Sequence, residues 1–259
     1  MITHPLYVFM HIPKTDLTGG DYTRQILKKY FGGKEDRGKH RKHTVLKNVD
    51  KHKKKQQAII GLLRDPKDWY VSLFYWIQKV QQGVVLPSKH ERVLKTMLNK
   101  LEKDQNIIKS FKHFLMYIYE IKTDACSYAH WWGKGINYAK VFDFDIGPYS
   151  AIYTRMYLRD SYAHLTSVKA PNIDYIIRRE SIDRDIYKIF TDLCFDEEVI
   201  DKFWCEVSSN SSWKAVTRKR KPTEYYYDKE LTNLVKHKER FLYQALDKLN
   251  KSECCRADF

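Results

Sequence analysis

The sequence predicts an α/β fold in which helices flank a central, mostly parallel sheet. Three observations lead to this prediction. Short apolar segments with the profile of buried strands lie at residues 6–12, 58–65, 138–145 and 174–181. Segments with helical periodicity alternate with them, and turn-forming residues separate the two kinds. Such alternation is typical of crossover connections between parallel strands, which place helices on both faces of the sheet.

The composition fits a single domain over residues 1–259. Hydrophobic residues make up 43% of the chain, which is enough for a core. Lysine and arginine total 47 against 32 acidic residues, so the net charge of +15 favours an anionic partner. No apolar run reaches the roughly 18 residues of a membrane span. Five cysteines lack metal-ligand spacing, and we expect a soluble cytoplasmic protein without a signal peptide or metal.

The first strand and helix are predicted at residues 6–12 and 21–31. The strand LYVFMHI ends at Pro13, and Gly32 with Gly33 stops the helix. The helical stripe repeats every four residues, at Tyr22, Ile26 and Tyr30.

The second strand, AIIGLLRD at residues 58–65, leads directly into a helix. Asp65 is the predicted N-cap and Pro66 the first helical residue. Further along the chain the patterns predict helices at 91–122, interrupted around 103–106, at 149–159, and as one long helix at 228–249, with a polar basic loop at 208–223.

Two cations occupy equivalent places on the first two strands. Lys14 follows the first strand, and Arg64 lies at the end of the second. Ligands of parallel sheets bind beyond the carboxyl ends of the strands, where helix N-termini point. Ser72, two turns into the following helix, adds a hydroxyl, so the three residues predict an anion site.

The motifs around these residues resemble those of the PAPS-dependent sulfotransferases (PAPS is 3′-phosphoadenosine 5′-phosphosulfate). HIPKT, followed by Gly19-Gly20 and a helix, is similar to the family's 5′-phosphosulfate loop, and LLRDPKDWYVSLFYW to its 3′-phosphate element. Further family segments are matched by GKHRKHTVLK, by DYIIRRESIDRDIYKIF and by the basic stretch before YYYDKELTNLV. All the matching segments occur along the chain in the same order as in the family. The resemblance is to carbohydrate-type members and spans nearly the whole chain.

This resemblance implies a P-loop NTPase-like sulfotransferase fold and transfer of a sulfuryl group from PAPS to a hydroxyl or amine, leaving the bisphosphate PAP. Lys14 would act in catalysis at the 5′-phosphosulfate, while Arg64 and Ser72 would hold the 3′-phosphate. The basic loop would cover the same phosphate through Arg218, Lys219 and Arg220. The donor loop would add Thr15, Thr18, Gly19, Gly20, Asp21, Tyr22 and Thr23.

The family's catalytic base aligns best with His40. Imidazole titrates near neutral pH, which suits a group that takes the acceptor's proton. His43 is the rival candidate, and His11 is disfavoured because it lies on the strand before the loop.

The donor loop departs from the family pattern and allows two alignments. Without a gap, Asp16 and Leu17 replace the usual small residues. With a three-residue insertion at 16–18, Gly19 and Gly20 become the cradle glycines and Asp21 takes the hydroxyl position. We favour the insertion, although either alignment brings a carboxylate near the anion.

The acceptor is expected to be a carbohydrate or another small molecule, bound by a helical insertion around residues 88–132. Two alternatives stay open: a non-catalytic nucleotide- or polyanion-binding protein on the same fold, and a basic nucleic-acid-binding protein. The absence of GxxxxGK[ST] disfavours a nucleotide triphosphatase, and the phosphate motifs disfavour nucleic acid as the partner. The sequence does not predict the oligomeric state.

Overall fold

The computed structural model describes residues 1–10, 12, 15, 22–35, 56–81, 106–120, 145–157, 173–209 and 221–251. The chain divides into two compact units. Unit 1 comprises Met1–Arg64, Arg155–Arg220 and Gln244–Phe259, and unit 2 comprises Asp65–Thr154 and Lys221–Tyr243. A single domain over residues 1–259 stays a prediction, as does the acceptor-side role of 88–132.

The strands of unit 1 form a five-stranded mixed sheet in the order β3-β1-β2-β4-β5. The three longest strands, β2, β4 and β5, run parallel, while β1 pairs antiparallel with β2 and β3. An α/β fold is therefore confirmed. The strands are β1 (Ile2–Thr3), β2 (Tyr7–Phe9), β3 (Lys34–Glu35), β4 (Ala58–Leu63) and β5 (Tyr175–Arg178).

Eight α-helices lie among the described residues. They are α1 (Tyr22–Lys29), α2 (Pro66–Gln81), α3 (Ile107–Glu120), α4 (Pro148–Tyr157), α5 (Ile182–Asp192), α6 (Glu197–Ser209), α7 (Lys229–Lys238) and α8 (Arg240–Lys251). Two short 3₁₀ segments, Arg179–Ser181 and Thr223–Tyr226, precede α5 and α7.

The register of the parallel strands fixes which residues share the carboxyl edge. Phe9 of β2 lies beside Ile60 of β4, and Leu63 of β4 lies beside Arg178 of β5. Because parallel strands end at the same edge, the chain leaves β2 and β4 side by side.

An aromatic cluster fills the core of unit 1 between the sheet and its helices. The rings of Phe31 and Phe190 stack with centroids 3.8 Å apart, and Phe190 also meets Tyr7 edge to face at 5.1 Å. Phe203 of α6 packs against Phe31 at 5.4 Å. Aromatic side chains bury large areas, so this cluster holds α5 and α6 against β2.

Unit 2 has a separate aromatic core around α2. Trp69 and Tyr149 stack with centroids 4.5 Å apart and nearly parallel planes, which joins α2 to α4. Phe74 meets Phe111 of α3 edge to face at 5.4 Å.

The prediction of one long helix over 228–249 is wrong. The helix breaks at Glu239, whose backbone (φ −106°, ψ 22°) leaves the α-helical region between α7 and α8. Periodicity runs through this residue because Leu231, Val235 and Leu242 are all buried. Glu239 is itself fully buried and hydrogen-bonded to other helices, and these tertiary contacts override the helical pattern.

Other segments keep their predicted type with altered ends. The strand predicted at 174–181 ends at Arg178 and continues as a 3₁₀ turn, and the helix predicted at 149–159 is α4. The strand predicted at 138–145 lies outside the described residues except Asp145, which occupies a turn. The short strands β1 and β3 were not predicted, because two residues carry no periodicity.

Gly61 in β4 is predicted to be intolerant of a side chain. A Cβ there would meet Ile173 Cδ1 at 2.7 Å and Tyr157 Cζ at 3.0 Å. We expect Gly61→Ala to lower the free energy of unfolding by about 1–3 kcal/mol through overpacking. Urea unfolding measures this change, and the double variant Gly61→Ala/Ile173→Ala should recover part of it. Unchanged stability of the single variant would contradict the packing described.

Candidate functional site

Two buried residues, Ile12 and Thr15, follow β2 at the carboxyl edge of the sheet. Met10 N donates to Ile60 O at 2.9 Å, which extends the pairing with β4 by one residue. The backbone N of Thr15 and its hydroxyl both donate to Ile12 O, at 3.3 and 2.7 Å. Ile12 and Thr15 are completely buried, so both residues are held within unit 1. Lys14 lies between them in the sequence and outside the described residues.

Arg64 stands at the carboxyl end of β4 with its side chain only 1% exposed. Removing a guanidinium from water costs several kcal/mol unless hydrogen bonds and negative charge compensate it. The place of Arg64 at the carboxyl edge of a parallel sheet, where ligands of such sheets bind, fits its predicted anion-binding role.

The helix after Arg64 begins as the sequence predicts. Asp65 Oδ1 accepts hydrogen bonds from the backbone N of Lys67 at 2.8 Å and of Asp68 at 3.3 Å, which is N-cap geometry. Burial raises the pKa of Asp65, and the bonds from these backbone N–H groups oppose that rise. Ser72, also on α2, is 2% exposed.

The segment that follows the basic loop is attached to the first turn of α2, within unit 2. Thr223 Oγ1 donates to Asp68 Oδ1 at 2.8 Å, and the Tyr227 hydroxyl donates to Lys67 O at 2.9 Å. The Lys67 ammonium lies 5.8 Å from the centroid of the Tyr227 ring. Lys221, the last cation of the basic loop, is thus two residues from an anchored position.

Two residues assigned to the donor loop pack into the core. Tyr22 is 1% exposed and its hydroxyl donates to Asp183 Oδ1, while Thr23 is fully buried. Their side chains hold the first turn of α1 within unit 1, and any contact with a phosphate would come from their backbone N–H groups.

The remaining predicted site residues lie outside the described residues. The structure therefore tests neither the proposed base nor the two alignments of the donor loop. These residues are Lys14, Thr18, Gly19, Gly20, Asp21, His40, His43, Arg218, Lys219 and Arg220.

Arg178, at the end of β5, is a second cation at the carboxyl edge of the sheet. Its side chain has a structural role. Its guanidinium binds both oxygens of Asp185, at 2.6 and 2.9 Å, and Asp185 is fully buried. Ser181 donates to the same carboxylate at 2.9 Å, and Arg178 also donates to Asn250. Because a bidentate carboxylate neutralises it, Arg178 is a poor candidate for binding substrate. The spacing of Arg178 and Asp185, seven residues apart across a 3₁₀ turn, gave no signal in the sequence.

Glu239 carries a buried carboxylate in unit 2 that sequence reasoning missed. Its oxygens accept from the backbone N of Ser150 at 2.7 Å, from the Ser150 hydroxyl at 2.6 Å and from the Tyr70 hydroxyl. Ser150 lies in the first turn of α4, so the carboxylate caps the positive end of that helix. Gly147 leaves room for it, because a Cβ there would lie 1.8 Å from Glu239 Oε1.

The environment of Glu239 opposes its ionisation. Burial raises the pKa of Glu239, and the hydrogen bonds from Ser150 and Tyr70 only partly counter this effect. Burial, together with the nearby carboxyl of Glu239, also raises the pKa of the Tyr70 hydroxyl, which therefore remains a donor. Packing determines this cluster, and a single glutamate at the end of an amphipathic segment gives no sequence signal for it.

Scans against protein-family models, curated proteins and solved structures found no match to this chain. Among the described residues, no group of three or more His, Cys, Asp or Glu side chains is arranged to hold a metal ion. Within the same part of the chain, no helix has the length and apolar character needed to cross a membrane.

Glu239→Gln is predicted to change the pH dependence of stability. The pKa of Glu239 is raised above its ordinary value of 4.5, so the folded state binds this proton more tightly than the unfolded state. The resulting stabilisation is complete below the ordinary pKa and is lost as pH rises through the folded pKa. We therefore expect the wild type to lose stability relative to Glu239→Gln as pH rises from the ordinary pKa of 4.5 through the raised pKa of the folded state.

Urea unfolding at several pH values measures this difference. Glu197→Gln, at an exposed position in the first turn of α6, serves as the matched control. A stability difference that is constant, or that shifts in favour of the wild type as pH rises, would contradict the role assigned to Glu239.

Proposed function

We propose that the protein is a PAPS-dependent sulfotransferase. The observation that carries this proposal is the pairing of β2 with β4. Both segments that resemble the family's phosphate elements follow these adjacent parallel strands, and the Arg64 side chain is buried where the second begins. Parallel sheets bind their ligands at this edge.

The two phosphate groups of the donor would be held by different elements. Lys14 and the backbone N–H groups at the start of α1 would bind the 5′-phosphosulfate, with Thr15, Thr18, Gly19 and Gly20 shaping the loop. Arg64 and Ser72 would bind the 3′-phosphate, which distinguishes PAPS from ATP. A guanidinium suits that task because its fixed fork of donors matches phosphate oxygens.

The attachment of residues 223–227 to α2 supports the part assigned to the basic loop. Arg218, Lys219 and Arg220 immediately precede Lys221, and Thr223 is bound to Asp68 in the first turn of α2. That turn begins two residues after Arg64 in the sequence. The described chain therefore resumes, directly after these cations in the sequence, at a segment bound to the helix that follows Arg64.

The proposed reaction is an in-line displacement at sulfur. The acceptor oxygen or nitrogen forms a bond to sulfur, while the bond from sulfur to the bridging phosphate oxygen breaks and its electron pair stays on PAP. Lys14 would stabilise the charge that grows on this leaving oxygen. The acceptor's proton would pass to His40, or to His43 as the alternative base. By analogy with phosphoryl transfer, positioning and charge stabilisation would supply most of the catalysis.

A thermal-shift comparison of adenosine 3′,5′-bisphosphate with ADP tests the proposal. The bisphosphate carries the 3′-phosphate that Arg64 and Ser72 would bind, and ADP does not. At about 100 times its Kd the bisphosphate should stabilise the protein by ~2.7 kcal/mol. ADP at the same concentration should give a clearly smaller shift, and equal shifts for the two ligands would overturn the proposal.

Two variants and a matched control test whether Arg64 and Ser72 cause the preference for the bisphosphate over ADP. Ser72→Ala should weaken bisphosphate binding about tenfold to a hundredfold, the effect of one lost hydrogen bond to a charged group. Ser110→Ala removes an equally buried helical serine from α3 and should leave binding unchanged. Arg64→Lys keeps the charge without the fork, and it should reduce the preference over ADP about tenfold or more. If the two variants change bisphosphate binding only slightly, and in a salt-dependent way, the result would indicate general polyanion or nucleic-acid binding instead.

A further inference from the structure

The Tyr157 hydroxyl lies between the two strands that carry the proposed phosphate ligands. Tyr157 is the last residue of α4 and its side chain is completely buried. Its oxygen accepts a hydrogen bond from Leu62 N at 2.9 Å. The same hydroxyl reaches Leu62 O at 3.1 Å and Met10 O at 3.3 Å. One side chain therefore links β4 to the residue that follows β2.

These contacts replace one hydrogen bond of the parallel ladder. Met10 N donates directly to Ile60 O at 2.9 Å, which is the last direct bond between the two strands among the described residues. In an evenly spaced parallel ladder the next bond would join Leu62 N to Met10 O. Leu62 N donates to the Tyr157 hydroxyl instead, and the single proton of that hydroxyl is shared between Leu62 O and Met10 O, so a side chain bridges the two backbones where they would otherwise pair.

The position of the Tyr157 ring is fixed by its surroundings. Gly61 faces the ring, and a Cβ at that position would lie 3.0 to 3.2 Å from two of its carbons. Ile173, two residues before β5, fills the same space, because its Cδ1 would lie 2.7 Å from that Cβ. A residue without a side chain in the middle of an apolar strand thus admits the ring, and the close packing holds it in place.

The point bridged by Tyr157 lies at the carboxyl ends of β2 and β4, shortly before the proposed phosphate-binding residues in the sequence. The sheet order places β1 and β3 on one side of β2, and β5 on the far side of β4. Ligands of open α/β sheets bind in the crevice between strands whose connections lead in opposite directions. Lys14 follows Met10 by four residues, and Arg64 follows Leu62 by two.

We propose that Tyr157 is a positioning residue for donor binding. Its hydroxyl sets the separation of the carboxyl ends of β2 and β4, and thereby the distance between the 5′- and 3′-phosphate sites. This inference rests on the proposed sulfotransferase function and extends it to a residue that touches no substrate. A ligand with two phosphates depends on this separation, whereas a ligand held only through its 5′-phosphates does not.

The test compares Tyr157→Phe with Tyr175→Phe. The second variant also removes a tyrosine hydroxyl from unit 1, but that hydroxyl bonds to Asp192 Oδ2 at 2.7 Å, at the opposite end of β5. Calorimetry with adenosine 3′,5′-bisphosphate and with ADP gives two dissociation constants for each folded variant. Amide hydrogen exchange of Leu62, measured by NMR without ligand, reports the strand bridge independently.

We expect Tyr157→Phe to weaken bisphosphate binding about tenfold while ADP binding changes less than about twofold, and to speed exchange of the Leu62 amide. Tyr175→Phe should change none of these values. Equal weakening of both ligands would indicate a merely structural role and overturn the inference, as would unchanged bisphosphate binding. If Tyr157→Phe does not fold, Gly61→Ala serves as the second variant because it displaces the same ring. It should weaken bisphosphate binding more than ADP binding.

The failure of this inference differs from the failure of the proposed function. A wild type that prefers the bisphosphate, with a Tyr157→Phe variant that keeps the preference, overturns the positioning role and leaves the sulfotransferase proposal intact. A wild type without that preference overturns both.

Discussion

The parallel pairing of β2 with β4 is the constraint on which the rest of unit 1 depends. These strands are buried on both faces, so their apolar side chains fix the register and their backbones leave the sheet at one edge. β5 extends the sheet from the far side of β4, and the aromatic cluster packs α5 and α6 against it. Within the described residues, the direct pairing ends at Met10, where the Tyr157 hydroxyl bonds to Leu62 N and Met10 O. The polar loop after β2 and the buried Arg64 after β4 therefore start from neighbouring positions.

Unit 2 is organised around a buried carboxylate. Glu239 joins three helices by accepting from Tyr70 of α2 and Ser150 of α4 at the point where α7 gives way to α8. Burying a carboxyl group is costly to its charged form, and the donors around it, with the N-terminus of α4, offset only part of that cost. The break between α7 and α8 lies at this buried residue. The same unit anchors Thr223 and Tyr227 to the first turn of α2.

The strands and the helix cap that flank the candidate site were predictable, because local signals determine them. Apolar runs gave β2 and β4, and the Asp65-Pro66 pair gave the start of α2. Tyr157 and Glu239 were not predictable, since each acts through partners far away in the sequence, and neither periodicity nor capping rules register such contacts. The pairing of Asp185 with Arg178, seven residues away across a 3₁₀ turn, matches no periodic pattern either. Arg64 lies between these cases: its place after a strand was visible, but its complete burial depends on tertiary packing.

The central claim is that the carboxyl ends of β2 and β4 hold a nucleotide with phosphates at both the 3′ and 5′ positions. The most direct measurement is a crystal structure of the wild type with adenosine 3′,5′-bisphosphate. We predict that the 3′-phosphate contacts the Arg64 guanidinium and that the 5′-phosphate lies against the loop between β2 and α1, with the Tyr157 hydroxyl still bonded to Leu62. A bisphosphate bound elsewhere on the protein, with Arg64 making no contact to it, would contradict this account.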